Sequence, residues 1–129
     1  MSNLVSQNLN MIFKTPKGDT VHALKDLNFS LKKGELLTVL GPSGCGKTTL
    51  LNIAAGFLRP TSGSIILGGN EIDGPGVERG MVFQQGALFE WLTVAENVNF
   101  GLRMKKKNPI TTAKKVEEWL EIVGLQGFG

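Results

Sequence analysis

The residues best suited to chemistry form one short run, Gly41 to Thr49, which reads Gly-Pro-Ser-Gly-Cys-Gly-Lys-Thr-Thr. Its glycines, Gly41, Gly44 and Gly46, would let a polyanion reach backbone N–H groups that side chains would otherwise cover. Lys47 adds a flexible cation beside those groups. The pattern G-x-x-x-x-G-K-[ST] therefore predicts a site for the phosphates of a nucleotide.

Each side chain after the last loop glycine has its own expected role. We expect Lys47 to place its ammonium on the β- and γ-phosphate oxygens, and Thr48 to ligate the Mg²⁺ that bridges them. Thr49 is expected near the α-phosphate. The other residues expected to line the nucleotide site are Pro42, Ser43 and Cys45. Because Cys45 is the single cysteine, an internal disulfide is excluded; we expect it to pack, with a reactive thiol as the alternative.

The segments on either side of the loop suit this interpretation. The apolar run from Glu35 to Leu40 predicts a buried strand, and Thr48 to Ala55 holds no helix breaker before Gly56. The partly positive start of that helix would then face the anion. A strand and a helix around the loop disfavour the alternative, a Gly/Ser-rich surface turn.

Alternating apolar residues predict further strands. One half-buried strand would carry Leu9, Met11 and Phe13, and a second would carry Leu27, Phe29 and Leu31, on either side of a loop over residues 15–20. A third is predicted over residues 62–67. Residues 81–83 predict a short buried strand that ends at Gln84.

Two helices are predicted in the last third of the chain. Thr93 and Glu96 have the spacing of a capping box, which starts a helix running to about Arg103. The second is expected from about Thr112 to Val123 and should end at Gly124. Its buried face is predicted to contain Ala113, Val116, Leu120 and Val123.

Composition limits the class of protein. The chain has 129 residues, of which 41% are hydrophobic and 19% charged, with a net charge of +3. It shows neither a membrane-spanning run nor a signal peptide, so a cytoplasmic protein is expected. The basic run from Arg103 to Lys107 could attract nucleic acid or anionic lipid headgroups, but a solvated connection is favoured because no aromatic residues interleave. The lone His22 has no metal-ligating neighbours.

Three features in a fixed order closely resemble the nucleotide-binding subunits of ABC transporters, from about Leu9 to Phe128. They are an aromatic residue upstream, the loop Gly41 to Thr49, and the tetrapeptide Val82-Phe83-Gln84-Gln85 followed by the run from Leu92 to Val98. The resemblance implies an α/β P-loop NTPase fold of the ABC type. Residues 1–129 would be one partial domain, with the N-terminal β-subdomain and the phosphate-loop part of the core, truncated before the signature motif.

The resemblance also assigns two residues outside the loop. In the family an aromatic residue ahead of the loop stacks on adenine, and Phe13 matches it by position. The alternative is that Phe13 only extends the apolar face of its strand. Gln84 matches the Q-loop glutamine, which reaches Mg²⁺ and the attacking water. The alternative for Gln84 is a strand-end residue bonded to backbone.

Residues 74–84 and 90–94 look most like the branch that energises import of nitrate, sulfonates or taurine. For that branch the resemblance implies ATP and Mg²⁺ as ligands and a place on the inner face of the membrane. The implied partners are transmembrane permease subunits, a second nucleotide-binding subunit and, indirectly, a periplasmic or lipoprotein solute-binding protein. Nucleic acid is not an expected partner.

The chain departs from the family in what it lacks. A complete subunit is about twice as long, and the sequence contains neither Leu-Ser-Gly-Gly nor an Asp-Glu pair, nor the family's switch histidine. Without the carboxylate that polarises water, weak or absent hydrolysis is expected. The strands before the loop and before Gln84 would also lack their family neighbours, so we expect a marginally folded or aggregation-prone chain.

Two other functions stay open at this point. A non-catalytic fragment that binds ATP or a permease would share every motif above. A small P-loop kinase would need an arginine-rich lid, whereas Arg59, Arg79 and Arg103 are scattered.

Overall fold

The computed structural model describes residues 3–42 and 46–128. The chain forms two compact units, Met1–Met81 and Val82–Gly129. The predictions for Ser43, Gly44 and Cys45 fall outside the described residues. In chain order the elements are β1 (Leu4–Lys14), β2 (Thr20–Leu31), α1 (Lys47–Ala55), β3 (Ser62–Leu67), β4 (Asn70–Glu71), α2 (Val94–Met104) and α3 (Pro109–Ile122).

The first unit is built on an antiparallel sheet with strand order β2-β1-β3-β4. Strands β1 and β2 form a hairpin whose turn is closed by the N–H of Gly18, which donates to the carbonyl of Thr15 at 2.9 Å. The predicted strands around residues 9–13, 27–31 and 62–67 are confirmed, and β1 and β2 extend well beyond the alternating residues that indicated them.

One face of this sheet packs against α1. The buried core consists of residues from β1, β2, α1 and β3, namely Leu9, Met11, Leu24, Leu50, Ile53 and Ile65. The predicted helix after the loop is confirmed, and it ends where Gly56 adopts a left-handed conformation with φ 86°. Because α1 buries Leu50 and Ile53 in the sheet, the core fixes the start of the helix relative to β2.

The hairpin contains three register shifts between β1 and β2. Asn8 and Asp26 lie at positive φ there, a conformation that short polar side chains tolerate. Asn10 and Asn28 bridge the shifted strands through side-chain hydrogen bonds. The third shift pairs Met11 with Leu24 and Ile12 with His22, which leaves Ala23 as an extra residue on β2.

Two predicted strands are wrong. Residues 35–40 and 81–83 adopt no strand conformation, and the exposed fractions are 92% for Leu36, 86% for Leu40 and 96% for Val82. An apolar run becomes a strand only where a neighbouring strand takes up its backbone hydrogen bonds. Within the described residues no strand pairs with either segment.

The second unit contains α2 and α3. Thr93 caps α2 as predicted: its hydroxyl accepts from the N–H of Glu96 at 3.2 Å, and the Glu96 carboxylate accepts from the N–H of Thr93 at 2.8 Å. Helix α3 begins at Pro109, earlier than predicted, because the Asn108 side chain accepts from the N–H of Ile110 and caps it there.

The predicted buried face of α3 is only half correct. Val116 and Leu120 are buried, but Ala113 is exposed and Val123 is 64% exposed. The buried position one helical turn before Val116 is Thr112, whose hydroxyl donates to the carbonyl of Pro109 at 2.9 Å and is thereby satisfied. None of the described helices has the length and apolar content needed to cross a bilayer.

Candidate nucleotide-binding site

The phosphate loop ends at Gly46, which requires glycine for two reasons. Its φ is 92°, in the left-handed region, and a Cβ built on it would overlap the carbonyl oxygen of Ala23. The carbonyl of Gly46 accepts from the N–H of Leu50 at 2.9 Å as the first bond of α1. The bulge at Ala23 and the start of the helix are therefore in direct backbone contact.

Lys47 spans the loop. Its ammonium donates a hydrogen bond to the carbonyl oxygen of Gly41, the first glycine of the motif. Gly41 and Pro42 are exposed, and Lys47 is partly buried. The cation is thus held at the loop by a neutral acceptor. An anionic oxygen of a ligand would be a stronger partner for the ammonium and could take the place of this carbonyl.

The first turn of α1 has backbone N–H donors and no acidic side chain that would compete with an anion for them. Gly46 supplies no side-chain cap, and the first turn carries no acidic residue. The N–H groups of the first residues of any α-helix lack partners inside the helix. Thr48 is exposed and Thr49 partly buried. This arrangement suits a phosphate group at the helix start.

Arg79 anchors the other end of α1, a role that sequence reasoning missed. Its guanidinium donates to the carbonyl of Ala54 at 3.1 Å and to that of Gly74, and its side chain is only 15% exposed. A Cβ on Gly56 would overlap the Gly74 carbonyl, so backbone segments meet closely here. The only sequence signal for this clamp is an arginine just after a Gly/Pro-rich turn.

Phe13 lies at the end of β1, opposite Val21 on β2, and its exposed fraction is 39%. Two residues further along β2 is Ala23, the residue that contacts Gly46. Two residues of strand span about 7 Å, so the Phe13 pair lies close to the segment that touches the loop. Phe13 is less buried than Leu9 and Met11 on the same strand.

Gln84 is exposed and belongs to the second unit, in an irregular segment that leads to α2. Thr48 belongs to the first unit. The Mg²⁺ site predicted from these two residues therefore stays a prediction.

Asn97 organises the segment that follows Gln84 in the sequence. Its amide accepts from the N–H of Phe89 at 2.9 Å and donates to the carbonyls of Phe89, Leu92 and Thr93 at 2.9–3.2 Å. The Phe89 ring also lies 4.5 Å, centroid to centroid, from that of Phe100. Sequence reasoning missed this role, because an asparagine inside a helix gives no sign of which backbone groups it reaches.

Several curated proteins are similar to this chain. It is 88% identical over 129 residues to the taurine import ATP-binding protein TauB of Pelagibacter ubique (strain HTCC1062), covering 100% of this chain and 49% of that protein. It is 61% identical over 128 residues to TauB of Roseobacter denitrificans (strain ATCC 33942 / OCh 114), covering 99% of this chain and 48% of that protein. The chain spans about half the length of these curated relatives.

A solved structure supports the fold. The dimeric structure of a post-hydrolysis state of the ATP-binding cassette MJ0796 bound to ADP and Pi superposes with a TM-score of 0.80. The two sequences are 29% identical, and the match covers 96% of this chain and 58% of that chain. Residues 24–129 match the family described as ABC transporter. This match covers most of the chain and includes the phosphate loop, so the chain belongs to the ABC transporter family.

Proposed function

We propose that this chain binds Mg·ATP at Gly41 to Thr49, and that in the complete subunit this binding energises import of taurine or a related small sulfonate. The observation that carries the proposal is the Lys47 ammonium, held across the loop on the Gly41 carbonyl at the start of a helix without acidic neighbours. The TauB names of the relatives favour taurine over nitrate.

The residues present fit a magnesium-bound triphosphate. Lys47 exchanges its neutral carbonyl partner for phosphate oxygens, and the N–H groups at the start of α1 add further donors. Thr48 would hold the Mg²⁺. Gln84 is proposed as a second ligand from its position in the sequence motif alone. The ion, when bound, supplies positive charge that offsets the charge of the phosphates. Phe13 supplies an open aromatic face for the base.

Binding without turnover is the activity we propose for the 129 residues themselves. The sequence contains no Asp-Glu pair, and hydrolysis needs a carboxylate to polarise the attacking water. Release of inorganic phosphate from Mg·ATP should therefore stay at the background rate. Release by the purified chain that is abolished in Lys47→Ala would contradict this part of the proposal.

Calorimetry on the Lys47→Ala variant tests the nucleotide site. We expect the purified chain to bind Mg·ATP and the variant to lose at least about tenfold in affinity, because a hydrogen bond to a charged partner is removed. The matched control is Lys33→Ala, in an exposed turn of the same unit, which should bind as the unchanged chain does. Equal affinities for the two variants would refute the assignment of Lys47.

The partners follow from the same proposal. MJ0796 is described as dimeric, and we propose that the complete subunit likewise pairs with a second copy. We further propose that it docks on transmembrane permease subunits at the inner face of the membrane and is served indirectly by a solute-binding protein. Co-purification of the tagged complete subunit with its permease from detergent extracts is the test, and recovery of the subunit alone would count against docking.

A further inference from the structure

The junction between α2 and α3 carries a strong concentration of positive charge. Residues 97–116 contain six basic side chains and no acidic one. Since the whole chain has a net charge of only +3, the rest of it is net acidic. All six side chains are exposed. We call this group the basic surface, and it consists of Arg103, Lys105, Lys106, Lys107, Lys114 and Lys115.

Within the described residues none of these six side chains forms an ion pair, but Glu117 and Glu118 lie one helical turn after Lys114, so the uncompensated charge rests mainly on residues 103–107. Among the described residues the ion pairs are Arg59–Asp73 and Arg79–Glu78, both in the first unit. Arg103 acts on Glu96 only over a longer distance, by lowering the pKa of that carboxyl slightly beside the larger effect of Thr93. The positive charge therefore stays available to an external polyanion.

Two large, exposed apolar side chains are close in sequence to these basic residues. Met104, at the end of α2, is 67% exposed, and Ile110, in the first turn of α3, is 82% exposed. They flank Lys105, Lys106 and Lys107 in the sequence. Basic residues mixed with exposed aliphatic ones are typical of surfaces that lie in the headgroup region of an anionic bilayer.

The same composition argues against nucleic acid as the partner. Proteins that bind single strands without sequence preference stack bases on aromatic rings. No aromatic residue occurs between Phe100 and Trp119. An aliphatic side chain gains more in the acyl boundary of a lipid layer than against phosphates.

We propose that the basic surface binds an anionic phospholipid bilayer directly, with Met104 and Ile110 entering the headgroup region. This contact would need neither a permease nor a nucleotide. It would hold the subunit at the membrane through lipid as well as through protein. Each basic residue near an anionic membrane strengthens partitioning roughly fivefold.

The test is sedimentation of the full 129-residue chain with vesicles of phosphatidylcholine, with and without about one-third phosphatidylglycerol. We expect binding to the anionic vesicles only, weakened by salt. The combined variant Lys105→Glu, Lys106→Glu, Lys107→Glu should lower the partition coefficient at least about a hundredfold, because each change removes a positive charge and adds a negative one. The variant Met104→Ser, Ile110→Ser should lower it about tenfold.

The matched control makes the same change in net charge on exposed lysines of the first unit: Lys17→Glu, Lys32→Glu, Lys33→Glu. It should reduce vesicle binding only a few fold. An equal loss in both triple variants, or no binding of the unchanged chain to anionic vesicles, overturns the proposal. So does binding of duplex DNA in preference to the vesicles at the same salt.

A second measurement gives a positive signal and does not depend on the folding of the loss-of-binding variants. In Met104→Trp, the emission of the added tryptophan is the difference between the variant and the unchanged chain. This emission should shift to shorter wavelength with anionic vesicles, and lipids brominated near the headgroup should quench it. Emission that stays at the wavelength of a water-exposed tryptophan while the protein sediments with vesicles places the contact elsewhere and overturns the proposal.

Discussion

Replacing Gly46 by alanine perturbs the point where the phosphate loop meets β2. Three glycines of the first unit allow the effect to be divided: Gly18, Gly46 and Gly56 have φ of 86°, 92° and 86°. A Cβ at Gly18 meets nothing within 4 Å, whereas one at Gly46 overlaps the carbonyl oxygen of Ala23 and one at Gly56 overlaps that of Gly74. All three changes place an L-residue in the left-handed region, but only two force backbone apart.

The magnitudes follow from these contacts. The left-handed conformation costs an L-residue about 1–2 kcal/mol, so Gly18→Ala should lower the free energy of unfolding by that amount. The overlap in Gly46→Ala and Gly56→Ala adds about 1–3 kcal/mol, as in an overpacked site. Urea denaturation of the three variants, followed by circular dichroism, measures the differences. Loss of stability in Gly46→Ala no larger than in Gly18→Ala would refute the close approach to Ala23.

Measurements of nucleotide binding then distinguish an effect on the loop from an effect on overall stability. Gly46 and Gly56 flank the 9 residues of α1, so Gly56 lies about 15 Å from Gly46. Gly46→Ala should weaken Mg·ATP binding at least about tenfold, because it moves the start of the helix. Gly56→Ala should bind normally where both are folded. Equal loss of affinity in both variants would show that affinity follows stability and not the loop.

The remaining predictions concern the clamp and the cap of α2. Arg79→Ala should lower the free energy of unfolding by about 2–3 kcal/mol, because the carbonyls of Ala54 and Gly74 lose a charged donor; Arg79→Lys should restore only part of it, and an unchanged urea midpoint would contradict the clamp. Thr93→Ala should cost about 1 kcal/mol, measured in the same way, and full stability would show that the cap contributes nothing. Hydrogen bonds from Thr93 hold the pKa of Glu96 below its ordinary value of 4.5. The stability contributed by Glu96 is therefore present above that pH and is lost as pH falls through the lowered pKa. A carbon-detected NMR titration of this carboxyl should show the lowered pKa in the unchanged chain and a smaller shift in Thr93→Ala, which loses the hydroxyl but keeps the backbone N–H; an identical pKa in the two would contradict a contribution from the hydroxyl.

The elements that the sequence predicted correctly are specified by neighbours along the chain. A capping box fixes the start of α2, a glycine fixes the end of α1, and alternation identifies β1 and β2. The segments 35–40 and 81–83 have equally good strand patterns but form no strands. Strand formation depends on a partner elsewhere, and no local pattern reports whether one is present.

The candidate site likewise contains features that the local sequence predicts and features that depend on contacts between distant residues. The motif identified Gly46, Lys47 and the start of α1 from spacing alone, because the phosphate loop is a local structure. The Arg79 clamp joins residues 25 positions apart, and the bulge at Ala23 depends on the register of two strands. These supports arise from tertiary approach, so residue types along the chain could not show them.

The central claim is that the loop and the first turn of α1 hold the phosphates of ATP. A two-dimensional ¹H–¹⁵N NMR titration of the folded chain with Mg·ATP tests it most directly, because each backbone N–H reports its own surroundings. We predict the largest shifts at Gly46, Lys47 and Thr48, with smaller ones near Phe13, and in Lys47→Ala the same shifts only at nucleotide concentrations at least about tenfold higher. Saturable shifts that leave residues 41–49 unmoved, or no shifts at all, would contradict the account.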